Sequence, residues 1–235
     1  MSLSKLKAML RSYATKERAT ANAWFFKTGK GQYGEGDRFL GVTVPNIRKT
    51  VRAFPTLPLK EVIALLKSPW HEERLTALFI LIHQFQKGDP ATQKKIYNLY
   101  LKSTKWINNW DLVDLSAHKI VGAYLIDKPR KTLYELASSP NLWQRRIAIL
   151  ATFWYIKDGD VKDAIKIAQL LLNDKEDLIH KAVGWMLREV GKKDLPTLES
   201  FLKKHAPKMP RTMLRYAIEK FPETKRQRYL KITRD

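Results

Sequence analysis

The sequence contains no cysteine. That excludes disulfides, iron–sulfur clusters and thiolate metal sites, and it fits a reducing cytoplasm. Long apolar runs are missing too. No uncharged stretch approaches the ~18 residues that a membrane span needs, and the start, Met1-Ser-Leu-Ser-Lys, carries no apolar run of signal-peptide length. Strand-like alternation is scarce. The histidines at 71, 83, 118, 180 and 205 show no metal spacing, and His71-Glu72-Glu73-Arg74 lacks the second His of a zincin. No Ser-His-Asp arrangement can be argued. Glycine is sparse, and five of the ten glycines, at 29, 31, 34, 36 and 41, crowd between Thr28 and Gly41. Gly29-Lys30-Gly31-Gln32-Tyr33-Gly34 fits G-x-G-x-x-G, but no strand precedes it as a dinucleotide site requires, and no G-K-[ST] follows. A loop feeding a helix at Val44-Pro45-Asn46 is the better reading.

Acidic residues are few beside basic ones: 23 Asp and Glu against 44 Lys and Arg, a formal charge of +21. The alternative to a polyanion partner is a merely soluble surface, but such an excess costs self-repulsion in the compact state. Nucleic acid is the expected partner. An anionic membrane is disfavoured, because no strongly amphipathic, unpaired helix stands out. Hydrophobic residues make up 44% of the chain, enough for a sizeable core, and residues 1–235 are expected to form one domain.

Apolar spacings of three and four predict helices over Leu59–Lys67, Glu72–Phe85, Ala91–Leu101, Trp110–Ile126, Leu142–Lys157, Val161–Leu172, Glu176–Val190 and Thr197–Lys204. Asp89-Pro90 reads as an N-cap followed by Pro at the first helical position, and Ser68-Pro69 and Ser139-Pro140 read the same way. Short connections imply antiparallel neighbours. Glu73-Arg74-Leu75-Thr76-Ala77-Leu78 resembles Arg145-Arg146-Ile147-Ala148-Ile149-Leu150, and His180-Lys181-Ala182-Val183-Gly184-Trp185 is a third copy. With anchors at 74, 146 and 181, a fourth falls near Trp110. A period of about 36 residues with two helices per unit predicts an all-α, HEAT-like solenoid with a concave face.

In the helix from Trp110, the apolar stripe runs Val113, Ala117, Ile120, Val121, Tyr124. Trp110 and Asp114 fall on one flank, four residues apart and therefore neighbours. A carboxylate beside an indole at the edge of a buried face suits chemistry; the alternative is a first-turn Asp favoured by the helix dipole. Asp111 lies further round and reads as solvated. In the helix over Glu176–Val190, Trp185 stands between Lys181 and Arg188 on one flank, an arrangement suited to nucleic acid, with the cations for phosphate and the indole for base or sugar; the alternative is a packed Trp with cations snorkelling over it. Arg146 shares the repeat position of Lys181, so the two read either as phosphate ligands or as links to a neighbouring repeat, while Arg145 points away. Trp24, Trp70, Trp106, Trp143 and Trp154 read as core.

The segment Trp24-Phe-Phe-Lys-Thr-Gly-Lys-Gly-Gln-Tyr-Gly-Glu-Gly-Asp-Arg-Phe-Leu-Gly-Val-Thr-Val-Pro-Asn-Ile-Arg48 resembles the N-terminal signature of the AlkD-like DNA alkylation-repair glycosylases. Trp110-Asp-Leu-Val-Asp114, Trp143-Gln-Arg-Arg146 and Lys181-Ala-Val-Gly-Trp-Met-Leu-Arg188 resemble later blocks of that family in the same order. The likeness spans roughly residues 20 to 190, and the last forty or so match only by helical character. The resemblance implies a solenoid whose concave basic face holds duplex DNA carrying alkylated bases. It implies hydrolysis of the N-glycosidic bond of cationic lesions such as 3-methyladenine and 7-methylguanine, by a cytoplasmic monomer that needs no cofactor and no metal. Asp114 falls on the family's catalytic carboxylate, and Trp110 and Trp185 on indoles that pack against the lesion's sugar and backbone. Arg146, Arg188 and Arg48 correspond to basic DNA contacts, and Thr43 to a polar residue that reaches toward the duplex. Phe25 stands where relatives can carry Tyr, so a hydroxyl contact is lost there.

Overall fold

A computed structural model of the chain describes residues 2–232. Its regular elements are helices; among the described residues the one strand-like feature is an isolated backbone bridge between Arg38 and Trp70. The chain divides into two compact units, Met1–Ser116 and Ala117–Asp235. No helix among the described residues is long and apolar enough to cross a membrane.

The first unit contains α1 (Leu3–Arg11), α2 (Lys16–Phe25), α3 (Val44–Ala53), α4 (Leu59–Leu66), α5 (His71–Lys87), α6 (Pro90–Lys102) and the start of α7 (Trp110–Ala117). Local chemistry sets their starts. Ser2, Thr15, Thr43 and Asp89 each offer a side-chain oxygen to a backbone N–H three residues on, and Pro90 follows Asp89 at the first helical position as expected. The two Ser-Pro pairs do something else. Ser68 accepts from the Trp70 amide at 3.1 Å and Ser139 from the Asn141 amide at 3.1 Å, so each builds a turn just ahead of its helix, whose N-caps are Trp70 and Asn141. Apart from Thr76, whose hydroxyl donates to the Glu72 carbonyl at 2.6 Å, helix α5 is apolar on every side from Leu75 to Ile82 and is correspondingly buried against α3, α4 and α6. Gly41 has φ +81°, and a Cβ there would lie 2.1 Å from the Thr15 carbonyl oxygen, so only glycine lets the segment before α3 close on the start of α2.

The second unit continues from α7 through a π-helical turn (His118–Gly122) to α8 (Lys131–Ala137), α9 (Leu142–Ala151), α10 (Phe153–Lys157), α11 (Lys162–Leu170), α12 (Asp177–Lys193), α13 (Leu195–His205), α14 (Arg211–Ala217) and α15 (Glu223–Leu230). Its centre is α12, which packs against α9, α10, α11, α13 and α14. The single helix expected over Leu142–Lys157 is two. The chain turns at Thr152, whose hydroxyl donates to the Ile149 carbonyl at 2.6 Å and whose amide takes the same acceptor at 3.2 Å.

Two helices per ~35 residues recur: α4 and α5, α6 and α7, α8 and α9, α11 and α12, α13 and α14, with second members opening at residues 71, 110, 142, 177 and 211. This is the helical-repeat architecture that the periodicity predicts, and the helix expected at Trp110 opens there. The register needs one correction. Arg74 donates to the Ser68 carbonyl at 3.2 Å, Arg145 to the Ser139 carbonyl at 3.0 Å, and the His180 ring bonds the Asp174 carbonyl at 2.5 Å. Each binds the carbonyl six residues before it and ties the helix to its own lead-in. Arg145, not Arg146, is therefore the equivalent of Arg74, and His180 rather than Lys181 is the third member. Arg145 does not point away from the fold either, since it also pairs with Asp174 at 2.6 Å.

Candidate functional site

Helix α7 opens on Asn109, whose side-chain oxygen accepts from the Trp110 amide at 2.8 Å and whose carbonyl takes the Val113 amide at 3.2 Å. Trp110 is half-buried. Its indole stacks on Phe26 at 5.2 Å between centroids with planes 18° apart, and Phe25 meets it edge-on at 5.9 Å. Asp114, one turn further along α7, is also half-buried. Its charge reaches Tyr100: burial raises the pKa of that phenol most, the hydrogen bond to Ser116 at 2.8 Å opposes, and the Asp114 carboxylate raises it further. Trp110 is thus backed by an aromatic wall of Phe26 and Phe25.

Asp111 is buried, not solvated, and so are the four residues that open α5. His71 places Nε2 2.8 Å from Asp111 and Nδ1 3.1 Å from Asp37. The second Asp37 oxygen accepts from Arg74 at 2.6 Å, and the Asn109 side-chain Nδ2 donates to Asp37 at 3.2 Å. Burial alone would lower the His71 pKa, but the Asp111 charge, its hydrogen bond and that of Asp37 outweigh it and push the imidazole up to about 9. Asp37 is held below the usual carboxylate range: burial opposes, while the His71 hydrogen bond and the Arg74 charge prevail. Phe39 and Phe26 cover the His71 ring at 4.6 and 4.9 Å between centroids. Glu72 accepts the amides of Leu40, Gly41 and Val42 at 2.9, 2.9 and 3.2 Å. Glu73 pairs with Lys7 at 2.8 Å and Arg11 at 2.9 Å. His-Glu-Glu-Arg is thus a set of anchors for the surrounding segments.

The remaining candidates of the first unit sit on α3. Thr43 caps it, its hydroxyl accepting the Asn46 amide at 3.4 Å, and exposed Arg48 lies over the Phe79 ring at 4.6 Å. In the second unit, Arg146 is buried, with its guanidinium on the Leu178 carbonyl. Lys181 pairs with Asp177 at 2.8 Å. Half-buried Trp185 donates its indole N–H to Glu189 at 3.2 Å and meets Phe153 at 5.9 Å. Arg188 is held by Glu189 at 3.3 Å and by Glu219. Counted from the first residue of each second helix, Asp114, Arg146 and Lys181 share the fifth place, as do Leu75 in α5 and Arg215 in α14.

The sequence reading missed Asp37, His71, Arg74, Asn109 and Asp111, and it put Trp24 in the core. Trp24 is 75% exposed and Phe25 54%. Trp143 is buried, while Trp70, Trp106 and Trp154 are half-buried. One signal was available for His71: a charged tetrad that opens a helix apolar on all sides cannot be solvated all round.

An all-helical repeat chain of this charge is a recognisable class, and the comparisons supply its family. The sequence profile of the DNA alkylation repair enzymes matches residues 6–221. The chain belongs to that family. Among solved structures it is similar to a predicted DNA alkylation repair enzyme from Enterococcus faecalis, at 18% identity and a TM-score of 0.69, over 89% of this chain and 97% of that one. At that identity the likeness is one of fold. No curated protein matches the chain.

Proposed function

We propose that the protein is a DNA glycosylase that hydrolyses the N-glycosidic bond of cationic alkylated purines, such as 3-methyladenine and 7-methylguanine, in duplex DNA. The observation that carries this reading is Asp114 one helical turn from Trp110, both half-buried and the indole backed by Phe26 and Phe25, in a chain of the alkylation-repair family. The chemistry needs few groups. The alkylated base is already positive, so the C1′–N bond breaks with its electron pair neutralising the leaving base, and no general acid is required. A carboxylate then stabilises the oxocarbenium-like sugar and takes a proton from the water that adds at C1′. Trp110 and Trp185 would pack against sugar and backbone, and Arg146, Lys181, Arg188, Arg48 and Thr43 would hold the duplex. The reaction needs neither a cofactor nor a lyase step, and the enzyme acts as a monomer in the cytoplasm, at the nucleoid when bound.

The net charge of +21 equally favours a module that binds nucleic acid without cutting it. Chromatography of the products from a duplex carrying one 7-methylguanine separates the two. Free base together with an intact abasic strand is the expected result; tight, salt-sensitive binding with no free base contradicts the glycosylase reading for this lesion.

A further inference from the structure

The buried charges around His71 lie outside the chemistry just described, yet one of them, Asp111, follows Trp110 in sequence, and Asn109, which donates to Asp37, precedes it. Both ring nitrogens of His71 face carboxylate oxygens, Asp37 at 3.1 Å and Asp111 at 2.8 Å. A neutral imidazole has one donor and one acceptor nitrogen, so it satisfies only one such contact; two carboxylate acceptors require both nitrogens to carry protons. The cage then holds His71 and Arg74 against Asp37 and Asp111, two charges of each sign. Those are the titratable groups that face the imidazole: Asp37 from the segment before α3, Asp111 from α7 and Arg74 from its own helix.

The cage reaches Trp110 by two routes. Through the backbone, Asn109 is tied to Asp37 and Asp111 to His71, and these are the residues on either side of Trp110. Through the rings, Phe26 lies between the two, 4.9 Å from the imidazole and 5.2 Å from the indole. We infer that His71, as an imidazolium clamped between Asp37 and Asp111, is a positioning residue that fixes the orientation of the Trp110 indole and the first turn of α7. The inference deepens the glycosylase reading, since that turn carries Asp114 at its end. Loss of the ring proton turns one carboxylate contact from attractive to repulsive and leaves the cage with an uncompensated negative charge, which loosens both routes at once.

The test is fluorine NMR on full-length protein carrying 5-fluorotryptophan at its seven tryptophans, with the Trp110 signal assigned by Trp110→Phe. The Trp110 resonance is expected to titrate with a midpoint of about 9. Asp111→Asn should lower that midpoint by about one unit or more, because it removes a charge that favours the cation. His71→Gln should displace the resonance and abolish the titration. A Trp110 resonance that is flat from neutral to alkaline pH in the native protein overturns the inference, even if the Gln variant fails to fold; so does a resonance that His71→Gln leaves in place. In single-turnover release of 7-methylguanine, His71→Gln is expected to be about tenfold slower or worse while DNA affinity stays within about twofold. If native protein releases no base, the glycosylase reading fails, and the fluorine signal still decides the role of His71.

Discussion

At the scale of single residues, side chains that look suited to water do the holding. Glu72 is the clearest case, with one carboxylate taking three backbone amides that no helix or sheet could satisfy. Glu72→Gln keeps the shape but turns an amide donor toward those N–H groups, and should cost about 2–3 kcal/mol in urea unfolding; a midpoint unchanged from native would contradict the role. His71 gives a pH dependence of definite sign. Its ordinary value is 6.5 and its folded value about 9, so its stabilisation is complete below pH 6.5 and is lost as the pH rises to about 9. Asp37 acts oppositely: its folded value lies below 3.8, so its contribution is present above that pH and is lost as acid protonates it. The urea midpoint should fall between pH 6.5 and 9 in native protein and clearly less in His71→Gln. Trp110 and Asp114 could be singled out from spacing because helical period alone places them together. Asp111 could not. Its burial depends on His71, forty residues earlier, and no local pattern encodes that partner.

Helices were legible wherever apolar period and cap agreed, as at Asp89-Pro90, and misread where a side chain competed with the helix, as at Thr152. The repeat could be seen in the sequence, but its register could not. Arg145 and Arg146 are adjacent and chemically alike, and only the carbonyl six residues back shows which of them answers to Arg74. Packing sets a second limit. A Cβ on Gly184 would lie 2.5 Å from the Met213 carbonyl oxygen and 2.6 Å from the Tyr216 Cβ, where α12 meets α14. Nothing in the sequence around Gly184 announces so close a crossing. Gly184→Ala, which would raise helix propensity on an exposed face, should instead destabilise by about 1–3 kcal/mol through overpacking. Denaturant titration checks it, and a stabilised variant would refute the crossing.

For the molecule as a whole, composition speaks most plainly. An excess of 21 positive charges should make the proposed DNA binding a salt-dependent equilibrium. If about six phosphates are engaged, affinity should fall roughly 10³-fold between 50 and 200 mM salt. Arg215, exposed and at the fifth place of α14, shares the register of Arg146 and Lys181. Arg215→Gln should therefore lower the slope of log affinity against log salt by about one, without changing base preference; an unaltered slope removes it from the interface. The catalytic claim itself rests on Asp114. The measurement that tests it most directly is single-turnover release of 7-methylguanine from duplex DNA by native protein and by Asp114→Asn. Native protein should release the base, and the variant should bind the same duplex equally well yet cut at least ~10²-fold more slowly. A variant that releases base at the native rate would show that the carboxylate on α7 is not the catalytic group.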